Sequence, residues 1–339
     1  MFTRPKPLDI LDRSRLSLKL KPIFIVQLTM LDSLVKPAYA YRNGVFSRVL
    51  NENESISIDF ISNYAQTISS EIFLHKEDYN SIHDKLNQEI IKVTRSLSIG
   101  DPKVKGTKHV NLLSMQMSNV YKDPFNDELL NNQYQSATNF SRLLYQNKKI
   151  HKHVYNKLVK QSHHYTIAQP LLASILLTSF LQHTGMFSEK EIHTYFLTSY
   201  FKDIGMSFIP REKFELAHLN EFDKKLFSEH AETSMKILEN RLPFNKTQLN
   251  IIKNHHFLNY KIQSLISGNS LPSEDKMLTG VESTLLSSID IIVAMSCERP
   301  YRDSISVFKA LELLKKVIAD EYPQEFKSLV VFLKHFFTK

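Results

Sequence analysis

Histidines and aspartates recur at the ends of helix-like segments in the second half of the chain: Asp203, His230, the adjacent pair His255 and His256, and Asp290. The gaps are 27 positions from 203 to 230, 25 from 230 to 255, and 34 from 256 to 290. Such gaps put one or two ligands on each of four successive helices, which is how a helical bundle assembles a metal site in its core. Imidazole nitrogens with carboxylate oxygens suit iron, manganese, zinc and related ions. The chain holds 14 histidines, so spacing alone favours the plainer reading that most are surface or satisfied core residues. The stretch YFKDIGMSFIP, Tyr200 to Pro210, adds a question, because Lys202 stands directly before Asp203 at the end of an apolar run.

These residues need elements to hold them. From about Val110 onward, segments such as EIHTYFLTSYF, KKLFSEHAETSMKILENRL, KTQLNIIKNHHF and SVFKALELLKKVI place apolar residues at three- and four-residue spacing. Each reads as an amphipathic helix. The first hundred residues differ: PIFIVQL (Pro22 to Leu28), YAYR and VFSRVL on either side of Asn43-Gly44, and EIFLH (Glu71 to His75) read as strands. Asn-Gly between two apolar-aromatic runs marks a two-residue hairpin. Helical spacing covers Asp59 to Ser69 and the segment KEDYNSIHDKLNQEIIKVTRSLS, while SIGDPKVKGTK, Ser98 to Lys108, carries the Gly, Pro and Lys of a linker. The expected fold class is α+β: a small N-terminal α/β domain at 1–97 for regulation or docking, a linker and helical connection at 98–144, and an all-α helical bundle at 145–339.

Composition bounds the function. The 339 residues are 42% hydrophobic, enough for a substantial core and for two domains. The net charge of +8 would permit a polyanionic partner, but the basic residues are dispersed among 35 acidic ones, so nucleic acid is disfavoured. The single cysteine, Cys297, excludes an internal disulfide framework and fits a reducing compartment. Charges and prolines break the N-terminus before a secretory h-region forms, and the apolar run Pro170 to Gln182 is shorter than a membrane span needs. The expected location is cytoplasmic, with no membrane partner. No phosphate-cradling glycine loop, dinucleotide fingerprint or nucleophile elbow occurs.

Local wording sharpens the picture. Asp-Ile-Gly followed by Ile209-Pro210, His230 opening a segment that ends MKIL, the His255-His256 doublet, GNSLP, and Asp290 nine positions before Arg-Pro-Tyr-Arg together resemble the HD-GYP family of cyclic-dinucleotide phosphodiesterases, from about Tyr165 to the C-terminus. The resemblance implies an HD-type helical bundle in which two or three ions activate water to cut cyclic di-GMP. By position, Asp203 matches the aspartate of the HD doublet that bridges two ions. His230 and His255, with His256, match ligands of one ion, and Asp290 a ligand of the other.

The departures from that pattern are concentrated. Lys202 stands where the HD histidine belongs, and Gln169 stands where an earlier histidine ligand is expected; both fall in the metal site that Asp290 shares. Met206 replaces a lysine, Val293 replaces an aspartate, and the loop after His256, FLNYKIQSLISGNSLP, has no Gly-Tyr-Pro. Lys202 is expected to supply its own charge in place of the ion, between Asp203 and Asp290, the alternative being a solvated lysine at a helix end. Arg299 and Arg302 match basic positions that touch cyclic-dinucleotide phosphate, or else cap a helix and anchor the loop around Pro300. The resemblance thus implies a degenerate, catalytically impaired HD-GYP-like signalling protein. It would act through a protein partner or by binding cyclic di-GMP, with no cofactor or one divalent ion (iron, manganese or zinc). The alternative is a weak single-metal cyclic di-GMP phosphodiesterase.

Overall fold

Four short strands, β1 (Leu20–Phe24), β2 (Ala38–Arg42), β3 (Val45–Leu50) and β4 (Glu71–His75), pair antiparallel in the order β1-β4-β2-β3. The computed structural model describes residues 19–42, 45–57, 59–61, 64, 71–95, 100–161, 164–210, 213–267, 280–297, 299 and 302–338. YAYR and VFSRVL pair as the expected hairpin, Tyr41 opposite Phe46 and Arg42 opposite Val45. The Asn43-Gly44 turn itself, most of Asp59 to Ser69, and GNSLP lie outside the described residues. PIFIVQL is not one strand, for after Phe24 the chain coils into a 3₁₀ helix, Ile25–Met30. The neighbours Gln27 and Leu28 of this 3₁₀ helix are both buried.

The sheet follows that alternation elsewhere. Ile72 and Leu74 join Ala38, Ala40 and Ile23 in a core with Ile82 of helix α1 (Lys76–Arg95), while Phe73 faces the other way among Tyr39, Tyr41 and Phe46. Asp78 in the first turn of α1 is buried and accepts hydrogen bonds from the backbone N–H groups of Val35 (2.8 Å) and Lys36 (3.0 Å). A buried carboxylate is thereby satisfied by two donors.

The chain divides into two compact units, Met1–Ile99 with Lys157–His164, and Gly100–Asn156 with Tyr165–Lys339. The second is helical: α2 (Pro102–Lys122), α3 (Asp127–Gln146), α4 (His151–Lys160, whose end belongs to the first unit), α5 (Tyr165–Thr184), α6 (Glu189–Phe201), α7 (Glu221–Ser228), α8 (His230–Leu238), α9 (Lys246–Asn254), α10 (Phe257–Ser267), α11 (Val281–Ser296), α12 (Val307–Ile318) and α13 (Pro323–Thr338). The Ser98 to Lys108 stretch is therefore no linker from Asp101 on. Asp101 caps α2, its carboxylate accepting from Lys103 N at 2.8 Å, and Pro102 takes the first helical position, where its missing N–H has no partner to lose. Likewise FLNYKIQSLIS after His256 is helix α10 rather than loop.

α5 is the axis of this unit. It is apolar on nearly all sides and buried almost throughout, packed against α6 and α11 and also touched by α2, α3 and α13. Its apolar run is thus a core helix, and among the described residues no helix is long and apolar enough to cross a membrane.

The core admits some polar groups. His109 on α2 is buried, stacks on Phe140 at 5.6 Å, and has no hydrogen bond at either ring nitrogen. Burial, then the nearby Lys105 charge, pulls its pKa down to about 4. Burial does the same to His151, also to about 4, with the Leu144 carbonyl opposing and Lys148 assisting. Each folded value lies below the unfolded one of ~6.5, so the unfolded chain binds the extra proton and stability falls as pH drops from about 6.5 toward 4. The expected loss is at most about 3 kcal/mol per histidine. Denaturant unfolding at pH 7 and pH 4.5 checks this: His109→Phe should visibly flatten the decline, and an unaltered pH dependence would mean that His109 is not a buried neutral ring.

Candidate functional site

The site is assembled by the turn after α6. Ser188 caps that helix in a reciprocal box with Glu191: the Ser188 hydroxyl accepts from Glu191 N at 3.3 Å, and Ser188 N donates to Glu191 Oε2 at 2.8 Å. The helix ends at Phe201, Lys202 closes it, and Asp203 opens a 3₁₀ turn, Ile204–Phe208. Gly205 then touches the first turns of α8. Its N–H donates to Ser234 Oγ at 2.8 Å, and a Cβ there would collide with the His230 carbonyl and the Ser234 backbone nitrogen. Glycine is required for this close approach.

Lys202 is not a solvated lysine, for its side chain is 0% exposed. Its ammonium contacts Asp203 Oδ2 directly and Asp290 Oδ1 at 2.8 Å. Burial alone would lower the Lys202 pKa, but the Asp203 and Asp290 charges outweigh it and hold it above the usual lysine value. Burial alone would raise Asp203; Lys202, followed by His230 and His255, holds its carboxyl well below the ordinary carboxylate range. Gln169 of α5 completes this side, donating from Nε2 to Asp290 Oδ1 at 3.2 Å.

The other oxygen of Asp203 faces histidines. His230 Nε2 and His255 Nε2 each lie 3.1 Å from Oδ1, and His256 Nε2 lies 3.2 Å from His230 Nε2. The Nδ1 atoms of His230 and His255 point at the carbonyls of Phe227 and Ile252. A carbonyl only accepts, so each Nδ1 carries a hydrogen, and each Nε2 is left facing the carboxylate. His255 Nε2 is buried and makes no hydrogen bond; its 3.1 Å contact with Asp203 has ion-pair distance without hydrogen-bond geometry. Burial first, then the charges of His255 and His230, keeps His256 well below the usual histidine pKa, and Asn259 Nδ2 lies 3.0 Å from its Nδ1.

These residues fit a metal ion. Ligand atoms of His230, His255 and His256 lie within 4.8 Å of one another, with Asp203 Oδ1 beside them. Carbonyl-held Nδ1–H groups are the outer contacts that orient ligating imidazoles.

Asp203, His230, His256, Asp290 and Gln169 line a cavity of about 650 Å³ whose walls also hold Arg299 and Arg302. Arg299 donates to Gln169 Oε1, and its guanidinium stacks 4.8 Å from the Tyr165 ring centre. The backbones of Arg299 and Arg302 bond each other reciprocally at 3.0 Å, and the Arg302 guanidinium donates to the Ala294 carbonyl. Both arginines therefore anchor a loop and line the cavity at once. Met206 is also in the wall, within an apolar cluster of Tyr165, Ile209 and Phe214. Of the residues picked out from the sequence, Gln169, Lys202, Asp203, Met206, His230, His255, His256, Asp290, Arg299 and Arg302 come together here, whereas Val293 is buried on α11 outside the cavity wall. Asn259, missed there, sits three residues after His256 on α10, a helical spacing that brings side chains together.

A second ordered trio carries no comparable chemistry. Ser141 Oγ lies 2.6 Å from His193 Nδ1, whose Nε2 is 3.2 Å from Glu189 Oε1. The order resembles a nucleophile relay, but Ser141 is 0% exposed between helices, out of any substrate's reach, so the trio ties α3 to α6.

No protein-family description and no curated protein matches the chain. Among solved structures it is similar to Bd1817, an HDG"Y"P protein from Bdellovibrio bacteriovorus, with a TM-score of 0.67 and 16% identity, over 93% of this chain and 99% of that one. At that identity the likeness is one of fold.

The Lys202 geometry has a measurable consequence. Lys202→Met leaves Asp203 and Asp290 without their shared cation, and breaking a buried pair of this kind costs about 3–5 kcal/mol. In the parent, the stability contributed by Asp203 is present above the unfolded carboxylate value of ~3.9 and is lost only as pH falls through its lower folded value. In the variant, a stranded carboxylate takes up a proton as pH falls, so the deficit should shrink between pH 7 and pH 5. Urea unfolding with a chelator present reads both; equal stability of parent and variant at pH 7 would refute the paired role.

Proposed function

We propose that this chain is a degenerate HD-GYP-type protein that works by binding a phosphate-bearing nucleotide of the cyclic-dinucleotide class, not by two-metal hydrolysis. The observation that carries the reading is the Lys202 ammonium between Asp203 and Asp290. In the family that the sequence resembles, those two carboxylates share an ion. An ammonium there balances their charge but offers no open position to a nucleophile or a phosphoryl oxygen, so the pairing of ions that grips a bridging water is lost. Gln169 supports the same reading, since its amide hydrogen-bonds Asp290 where a ligating imidazole would stand.

What is kept suits capture. The cavity of about 650 Å³ is in the range of small-molecule sites, with Arg299 and Arg302 beside the polar floor and Tyr165 and Tyr260 as ring surfaces. Guanidinium groups recognise phosphate through paired hydrogen bonds, and Arg299 is already oriented by Gln169 and Tyr165. A receptor that binds without cutting passes its state on through a protein partner.

A second reading rests on the histidine cluster: slow hydrolysis with one ion held by His230, His255, His256 and Asp203. Bound there, a divalent ion would supply a Lewis acid for a phosphoryl oxygen and lower the pKa of a coordinated water. The chain's own share would be to hold the imidazoles through the Phe227 and Ile252 carbonyls, and to fix the substrate phosphate with Arg299.

Elemental analysis and a cyclic di-GMP titration separate these readings. The expected outcome is saturable binding without turnover, weakened about tenfold or more in Arg299→Ala, since one hydrogen bond to a charged group is worth roughly 1.5–3 kcal/mol. At most one ion per chain is expected, lost in His255→Ala. Steady release of the linear dinucleotide would replace the receptor reading with the hydrolytic one, and absence of both nucleotide and metal would overturn both.

A further inference from the structure

We infer that Tyr121, on a helix 82 residues before Asp203 in the chain, is a positioning residue for this site. The starting point is a proline. Pro170 lies inside α5, one residue after Gln169, and has no N–H to give the carbonyl four residues earlier. That carbonyl belongs to Thr166, which is buried, and a buried carbonyl is rarely left without a donor. The Tyr121 hydroxyl supplies one, donating to Thr166 O at 3.1 Å.

The same hydroxyl lies 3.1 Å from a second carbonyl, that of Asp203. One hydroxyl hydrogen thus serves two acceptors as a three-centre bond. Both acceptors stand next to working side chains. Thr166 is three residues before Gln169, on the same side of α5, and Asp203 carries the carboxylate shared by Lys202 and the histidines. Gln169 and Asp203 approach Asp290 and Lys202 from two different elements, and the Tyr121 hydroxyl holds those elements at a fixed separation. The ring is fixed in turn, packed against the cluster of Tyr165, Met206, Ile209 and Phe214. Tyr121 does not reach the cavity chemistry directly; it acts through the two backbones.

The inference rests on the cavity being the binding site, and its test does not depend on metal being bound. Tyr121→Phe removes the hydroxyl and keeps the ring. It is made alone and together with Pro170→Ala, which returns an N–H to the Thr166 carbonyl. Three quantities are read: denaturant stability, the native-state imidazole ¹⁵N signals of His230 and His255, and Zn²⁺ affinity by titration. The expected result is a shift of both imidazole signals in Tyr121→Phe, about tenfold weaker Zn²⁺ binding, and a smaller stability loss in the Pro170→Ala background than in the parent. A bond that only holds the fold would lower stability and leave the native imidazole signals in place. Unchanged signals, with an equal stability loss in both backgrounds, overturn the inference. If the parent itself binds no Zn²⁺, the metal reading fails, and the imidazole signals and the stability cycle still decide the role of Tyr121.

Discussion

A single buried ammonium sets the terms for the interior of the helical unit. Lys202 brings its charge to a place with no solvent exposure, where an uncompensated ion would be prohibitive. It is tolerated because Asp203 and Asp290 meet it there. The three groups come from the end of α6, the turn after it, and α11, so the trio ties those elements together. Desolvation consumes most of the Coulomb attraction, so the trio contributes little net stability over an apolar filling. What it contributes is consistency, since a packing that separates the three leaves a charge alone.

Asp203 then divides the site. Oδ2 belongs to the ammonium side and Oδ1 to the imidazole side, so one carboxylate serves two positions. The ammonium fills the first position with no water-accessible face. The second is defined by rings whose far nitrogens are tied to carbonyls of the residues three before them, Phe227 before His230 and Ile252 before His255. The two helix ends thus fix the ring orientations through their own backbone geometry, independently of what the near nitrogens bind.

Much of this was readable in the sequence because the relevant groups sit in local contexts that carry meaning. Lys202 interrupts an apolar run, and the residues around it point inward, so its burial could be anticipated from SYF before it and DIG after it. His230, the 255–256 doublet and Asp290 stand at recognisable places on helices of clear periodicity. The failures have equally local causes. Gly, Pro and Lys suggested a linker at Ser98 to Lys108, yet Asp101 and Pro102 are also a good helix start, and the long apolar stretch behind them decided the outcome. Gln27 and Leu28 are buried side by side, which composition alone does not disclose. Tyr121 had no signal at all, because its partners are two backbone carbonyls 45 and 82 residues away. A contact made to backbone leaves no trace in the identity of the residue contacted.

The tether of the Lys202 charge has one further effect. A coordinated ion exchanges with its surroundings, so any structure built on it follows the supply of that ion and yields to whatever else chelates it. The charge between Asp203 and Asp290 arrives with the polypeptide at synthesis and cannot be stripped, diluted or replaced by a competing metal. This part of the site, which joins the end of α6 to α11, is thereby indifferent to metal supply, because its cation is a side chain.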